Sequence, residues 1–304
     1  MRNKLIGHIH TRLIACLSLV FIGACVSMAQ QPSKVMELDG VSMHAKLDET
    51  SVHYMSYGKG DEAIVLIHGW GGNLELWSEH IAHLRRTRDR VLAVDLPGHG
   101  KSNIPQTVYS MDYYARAVEA VMREAKVKRA VLVGHSMGTP IARQFYRKYP
   151  EKTLGIVIVD GSLRPFGDKK LMDGFLAGFR GPNYKEVGRQ MFAGMAGPNL
   201  APQIMTRVQA SFLNTPQHVL VSAMEGMADD SIWGLDKINV PVLAVMAKSP
   251  FWPPDTEQFY RSIAPKLDFV MWEGVGHFLQ MEKPVQFDDA VIAFLDKHKL
   301  LKKS

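Results

Sequence analysis

Five short stretches of the chain are apolar almost without interruption: Ala63–His68 (AIVLIH), Arg90–Asp95 (RVLAVD), Ala130–Gly134 (AVLVG), Gly155–Asp160 (GIVIVD) and Val240–Ala247 (VPVLAVMA). A strand with one wet face alternates apolar and polar side chains, whereas a strand covered on both faces has no polar side to show. Turn residues follow these runs, and between them lie segments of helical spacing. In Met111–Ala125, Tyr114, Val118, Val121 and Met122 fall three and four apart; Ile141, Phe145, Tyr146 and Tyr149 do likewise and stop before Pro150; Val285, Val291, Phe294 and Leu295 mark a last helix. Alternation of this kind predicts the α/β class, with a mostly parallel central sheet and helices on both faces. Val35–Asp39, Val41–Lys46 and Ser51–Tyr57 read as antiparallel strands leading into that sheet.

The rhythm breaks between Ser162 and about Leu235. No strand-like run occurs there, and Met172, Phe175, Phe179, Met191, Phe192, Met195, Met205, Phe212, Met224 and Met227 recur. The pattern predicts a small helical insertion at about 163–236, read as a cap. Its methionines fill its own core, and some can also line an adaptable apolar pocket.

The first 29 residues read as an export signal rather than as part of the domain at 30–304. Arg2, Lys4 and Arg12 form a positive leader, Leu13–Ala24 a short apolar run, and Ser27-Met28-Ala29 a small-residue cleavage site before Gln30. The run is shorter than the ~20 apolar residues that span a bilayer comfortably. Phe21-Ile22-Gly23-Ala24-Cys25 resembles a bacterial lipobox, so acylation of Cys25 competes with cleavage after Ala29, and an uncleaved anchor is a third reading. Any membrane association is expected only through that lipid anchor. The two cysteines, Cys16 and Cys25, both lie in this segment, so cleavage after Ala29 leaves no thiol for a disulfide, a nucleophile or a metal site. The expected location is periplasmic, secreted or envelope-bound.

Three of the 36 basic residues belong to this segment, which leaves 33 against 30 acidic ones. No run of five or six cations occurs, the Arg85–Arg90 cluster contains Asp89, and Lys297–Lys303 reads as a solvated helix end. A nucleic-acid partner has no footprint here.

The chemistry concentrates in Gly134-His135-Ser136-Met137-Gly138, a G-x-S-x-G sequence placed between a buried strand and a helix. Standing alone, such a pentapeptide could be an accidental turn. At a strand-to-helix junction its glycines permit a tight bend that projects the serine hydroxyl from the sheet edge. With this motif the sequence resembles the α/β-hydrolase superfamily, over about residues 60–160 and 238–297. His68-Gly69-Trp70-Gly71-Gly72 resembles the family's oxyanion loop, and Asp95-Leu96-Pro97-Gly98-His99-Gly100-Lys101-Ser102 its D-x-x-G-x-G-x-S segment. Gly274-Val275-Gly276-His277-Phe278, followed by Glu282-Lys283-Pro284, resembles its catalytic-histidine loop.

The resemblance implies Ser136 as nucleophile, His277 as general base, and the main-chain amides of Trp70 and Met137 as the oxyanion hole. A serine is a poor nucleophile until an imidazole takes its proton, and the oxyanion that follows needs fixed N–H donors. His68, His99 and His135 read as scaffolding of their motifs. The acid departs from the family's usual pattern. Counting back from Pro254 places the expected carboxylate of the penultimate-strand loop at Pro250. Two substitutes remain: Asp160, at the end of the strand after the nucleophile helix, where some relatives keep their acid, and Asp255. The latter, with Gln258 three residues on, reads as a helix N-cap with a capping box. A dyad, or another carboxylate, stays open.

The expectation is a serine hydrolase that cleaves a carboxylic ester or related acyl bond of a small molecule, with no metal or organic cofactor implied. The same parts would serve an aminopeptidase, a C–C bond hydrolase or a cofactor-free haloperoxidase. A catalytically weak ligand-binding protein is the alternative of another class. Fold alone does not choose among them.

Overall fold

The computed structural model describes residues 40–87, 90–167 and 169–301. The expected signal segment, Cys25 and the Val35–Asp39 strand lie outside these residues. Eight strands form one sheet: β1 (Val41–Leu47), β2 (Thr50–Gly58), β3 (Glu62–Ile67), β4 (Arg90–Val94), β5 (Arg129–His135), β6 (Thr153–Val159), β7 (Val242–Ala247) and β8 (Leu267–Trp272). Their order is β1-β2-β4-β3-β5-β6-β7-β8, with β1 antiparallel to β2, β2 antiparallel to β4, and every other pair parallel.

The uninterrupted apolar runs have a simple cause. In β3, Val65 and Ile67 point into one core while Ile64 and Leu66 point into the other. In β6, Ile156 and Ile158 are likewise opposed to Val157 and Val159, and in β7 Ala244 and Met246 to Val245 and Ala247. Each face of a central strand is therefore a core face, and burial on both sides removes the need for polar alternation. β7 begins at Val242, two residues later than the apolar run, because Pro241 has no N–H for the ladder and offers only its carbonyl, to Ile156. β8 stands at the sheet edge, where Val270 and Met271 are more than a third exposed, and Asp268 cuts its apolar run to the four residues 269–272.

The helices are α1 (Ser78–Thr87), α2 (Met111–Glu124), α3 (Gly138–Lys148), α4 (Lys169–Arg180), α5 (Tyr184–Met195), α6 (Pro202–Asn214), α7 (Gln217–Met227), α8 (Thr256–Ile263), the short α9 (Leu279–Glu282) and α10 (Pro284–Lys297). α1 and α10 bury Ile81, Leu84, Phe287 and Val291 against one face of the sheet. α2, α3 and α8 bury Tyr114, Val118, Ile141, Phe145 and Tyr260 against the other. The segment between β6 and β7 holds α4 to α7 and no strand among its described residues.

Parallel register brings the carboxyl ends of the central strands to one edge. Ile67 pairs with Gly134, His135 with Val159, Val159 with Val245, and Ala247 with Trp272. The loops that leave these strands share that edge, which is where parallel sheets place their ligands.

Candidate active site

β5 turns into α3 through Ser136, whose φ of 52° lies in the left-handed region. A non-glycine residue held there costs of order 1–3 kcal/mol and persists only where its surroundings over-determine it. Here the Ser136 amide donates to Val159 O at 3.0 Å, and Thr139 N donates to Ser136 O at 2.9 Å. A Cβ on Gly134 would collide with the Gly138 carbonyl, and one on Gly138 with that of Ile67. Both glycines of the pentapeptide are thus needed for backbone to pass backbone.

Asp160 also has a positive φ, 42°, at the end of β6, and is 4% exposed. Its amide donates to Val245 O at 2.9 Å. Its Oδ2 lies 2.7 Å from His277 Nδ1. A carboxylate only accepts, so Nδ1 bears the proton and the Nε2 lone pair is left for an incoming proton. The other oxygen, Oδ1, accepts from Ala247 N at 2.8 Å and from the Trp252 indole at 3.0 Å. The loop that holds Pro250 in place of a carboxylate therefore supplies hydrogen-bond donors to a carboxylate on the neighbouring strand. The sequence could flag Trp252 only as an aromatic in that loop.

Asp255 is elsewhere. Its carboxylate is more than half exposed and paired with the Arg164 guanidinium at 2.7 and 3.0 Å, which holds its pKa below the usual range. It occupies the N-cap position of α8, yet its side chain makes no capping bond. The expected capping box is not formed, because the arginine takes both oxygens.

The three other histidines of the motifs are buried and kept neutral. Burial, reinforced by the neighbouring His277, pushes His135 well below an ordinary imidazole; its Nε2 donates to the His277 carbonyl at 2.8 Å. Burial lowers His68, which accepts from Leu96 N through Nε2 and donates through Nδ1 to Gly69 O. Burial and the nearby His68 push His99 down to about 3. Burial alone would raise Asp95, but hydrogen bonds from His53, Lys101 N and Leu74 N outweigh it and lower its pKa. That carboxylate ties the D-x-x-G-x-G-x-S segment to the turn after the His68–Gly72 loop.

The His68–Gly72 loop runs beside the nucleophile: a Cβ on Gly69 would stand 3.0 Å from Ser136 Cβ. Trp70, in that loop, lines the adjoining cavity, and its indole donates to Leu220 O in α7 at 2.8 Å. Its ring meets Phe179 edge-on at 4.8 Å and Phe212 at 5.5 Å. Met137 follows Ser136 at the start of α3, fully buried, where amides have no partner within their own helix.

Glu282, in α9, stands out in the sequence only as part of a motif. Its Oε1 accepts from Gly276 N at 2.8 Å and from Gly197 N at 3.2 Å, and the His277 amide donates to Met195 O at 2.9 Å. The histidine loop is thereby fastened to the α5–α6 loop. A cavity of about 580 Å³ opens over Ser136, His135, Asp160 and His277, roofed by residues of α4, α5, α6 and α7. A strained serine, an oriented imidazole and an apolar chamber together can support acyl transfer.

A sequence model of the α/β hydrolase fold matches residues 62–284. The chain belongs to the α/β-hydrolase-fold family. Among curated proteins it is similar to a 2-hydroxy-6-oxononadienedioate/2-hydroxy-6-oxononatrienedioate hydrolase of Pseudomonas sp, 26% identical over 81% of this chain and 92% of that one. A protein of the same description from Burkholderia vietnamiensis is 28% identical over 81% and 91%. Among solved structures, Est816, described as an N-acyl homoserine lactone degrading enzyme, superposes with a TM-score of 0.70 at 25% identity, over 83% of this chain and 100% of that one. A hydrolase from Pseudomonas aeruginosa PA01 reaches 0.75 at 22% identity, over 84% and 98%, and shows the fold alone.

Proposed function

We propose that this α/β-hydrolase cleaves a carboxylic ester, open-chain or lactone, through an acyl-Ser136 intermediate, with α4 to α7 as its cap. The observation that supports this reading most is the 2.7 Å hydrogen bond between Asp160 and His277, at the same sheet edge as the strained Ser136. In this reading His277 Nε2 takes the Ser136 proton as Oγ attacks the carbonyl. Asp160 holds the imidazole in that tautomer and stabilises the imidazolium, and the amides of Trp70 and Met137 receive the oxyanion. His277 then returns the proton to the leaving alcohol, and a water activated by the same imidazole releases the acid. The lactone named for Est816 is an internal ester and fits this chemistry.

A second reading has one specific support: the dioate hydrolases of Pseudomonas sp and Burkholderia vietnamiensis match along most of the chain. Their described substrates are dianionic. C–C cleavage of such a compound would use the same serine and histidine. We further propose export, resting on the basic leader and apolar run before Gln30, with Cys25 acylation the rival to cleavage at Ala29.

The decisive experiment combines fluorophosphonate labelling with peptide mapping and a turnover assay on p-nitrophenyl esters and lactones. The expected result is a single adduct on Ser136, and loss of turnover on the order of 10⁶ in Ser136→Ala. Undiminished hydrolysis by a folded Ser136→Ala protein would overturn the proposal. N-terminal sequencing of envelope-fraction protein tests export, and a cytoplasmic chain retaining Met1 refutes it.

A further inference from the structure

We propose that the chamber over Ser136 is built for an uncharged, apolar acyl chain, and that acyl groups ending in a carboxylate are excluded. The inference rests on the ester-hydrolase reading above and names its substrate class.

Trp70, Phe175, Met191, Phe192, Met195 and Val208 present hydrocarbon, ring faces and thioethers. Two tryptophans line the space, and both have already committed their indole N–H groups, Trp70 to Leu220 O and Trp252 to Asp160. Both therefore turn only apolar surface toward a ligand. His135 is neutral and donates to the His277 carbonyl. Asp160 and His277 hold each other.

Among the described lining residues the single Lys or Arg is Lys248. It is 63% exposed, with its Nζ 2.6 Å from Glu273, so it is a solvated ion pair rather than a buried cation. A carboxylate carried into the chamber would lose its water and find no counter-charge, and an unpaired buried charge is strongly disfavoured. An alkyl chain loses nothing and gains contact with flexible methionines that can follow its shape. The 580 Å³ volume is within the range that encloses small-molecule ligands.

The test uses two esters of equal length that differ only at the far end, methyl octanoate and monomethyl suberate. Each is titrated into folded Ser136→Ala protein and followed by tryptophan fluorescence, and each is assayed for turnover by the wild-type enzyme. A series of p-nitrophenyl esters from acetate to octanoate is run beside them.

The expected results are at least ~100-fold tighter binding and higher kcat/KM for methyl octanoate, and kcat/KM rising about fourfold per added methylene until the chamber fills. Met191→Lys, which places a cation on a half-buried wall position, should narrow the gap between the two esters by about tenfold. Equal handling of the pair, or preference for the suberate ester, with Ser136 still labelled by fluorophosphonate, overturns this inference and leaves the serine-hydrolase reading intact. The expected binding preference without Ser136 labelling has the opposite meaning: the chamber's ligand class stands and the catalytic reading falls.

Discussion

The indole N–H of Trp252 donates to Asp160 Oδ1 at 3.0 Å, from a position 92 residues further along the chain. With Ala247 N on the same oxygen, it holds the carboxylate so that Oδ2 faces His277. Hydrogen bonds to charged groups contribute roughly 1.5–3 kcal/mol. Trp252→Phe keeps most of the ring and removes the donor, so turnover should fall about tenfold or more while KM for a short ester changes little. Steady-state kinetics on p-nitrophenyl acetate decide it. Unchanged kcat would mean that Ala247 N alone suffices to orient Asp160.

Asp160→Asn and Asp255→Asn should separate cleanly. An amide at position 160 favours the wrong imidazole tautomer, and the comparable change in a related triad costs ~10⁴ in turnover with the site otherwise intact. Asp255→Asn weakens an exposed pair with Arg164 and should leave turnover within about twofold. Turnover and melting temperature measured on both variants check this. Loss of activity in Asp255→Asn with Asp160→Asn active would transfer the acid's role to the later loop.

Buried histidines give a signed pH prediction. His68, His99 and His135 all have their pKa lowered, chiefly by burial, His99 to about 3. A histidine whose folded pKa lies below its unfolded value of ~6.5 binds fewer protons in the native state. Its contribution to stability is complete above that value and is lost as pH falls from there toward the folded pKa. Melting temperature should therefore decline between about pH 7 and 5. A melting temperature that holds steady across that range would show that the fold does not keep these imidazoles neutral.

The sheet was legible in the sequence because its signal is local. A strand such as Val65–Ile67 with Ile64 and Leu66 needs apolar residues at every position whatever its neighbours are. β8 was less legible, since Asp268, tolerated at the sheet edge, cuts its apolar run to the four residues 269–272. The elbow around Ser136 is largely local too: five residues contain the bend and the approach of Gly134 to Gly138, and only the approach of Gly138 to Ile67 O comes from another strand. The acid is a different kind of property. Nothing in the six residues ending at Asp160 distinguishes a carboxylate that bonds turn amides from one that faces an imidazole 117 residues away. Asp255 shows the converse, where spacing suggested a cap and Arg164, 91 residues distant, took the side chain instead. The role of Glu282 was half hidden for the same reason: Gly276 stands six residues before it in the motif, but Gly197 comes from a loop that meets it only in the folded chain.

Glu282 supports the last prediction. Its Oε1 receives the amides of Gly276 and Gly197, beside the bond from His277 N to Met195 O, while Oε2 is buried without a hydrogen-bond partner among the described residues. One carboxylate oxygen thus sets the loop that aims His277 and fastens it to the helical insertion. Removing the acceptor leaves two amides to find new partners, at roughly 1–3 kcal/mol for each that stays buried and unpaired. Glu282→Ala should lower kcat by about tenfold and reduce the melting temperature. Glu282→Gln keeps an acceptor oxygen and should retain kcat within about threefold. Val291→Ala, in the core under α10 and without a bond to Gly276 or Gly197, serves as a stability control. If Val291→Ala lowers the melting temperature as much as Glu282→Ala yet keeps full kcat, Glu282 acts through the position of His277. If the two variants lose kcat in parallel with stability, the glutamate is only part of the scaffold.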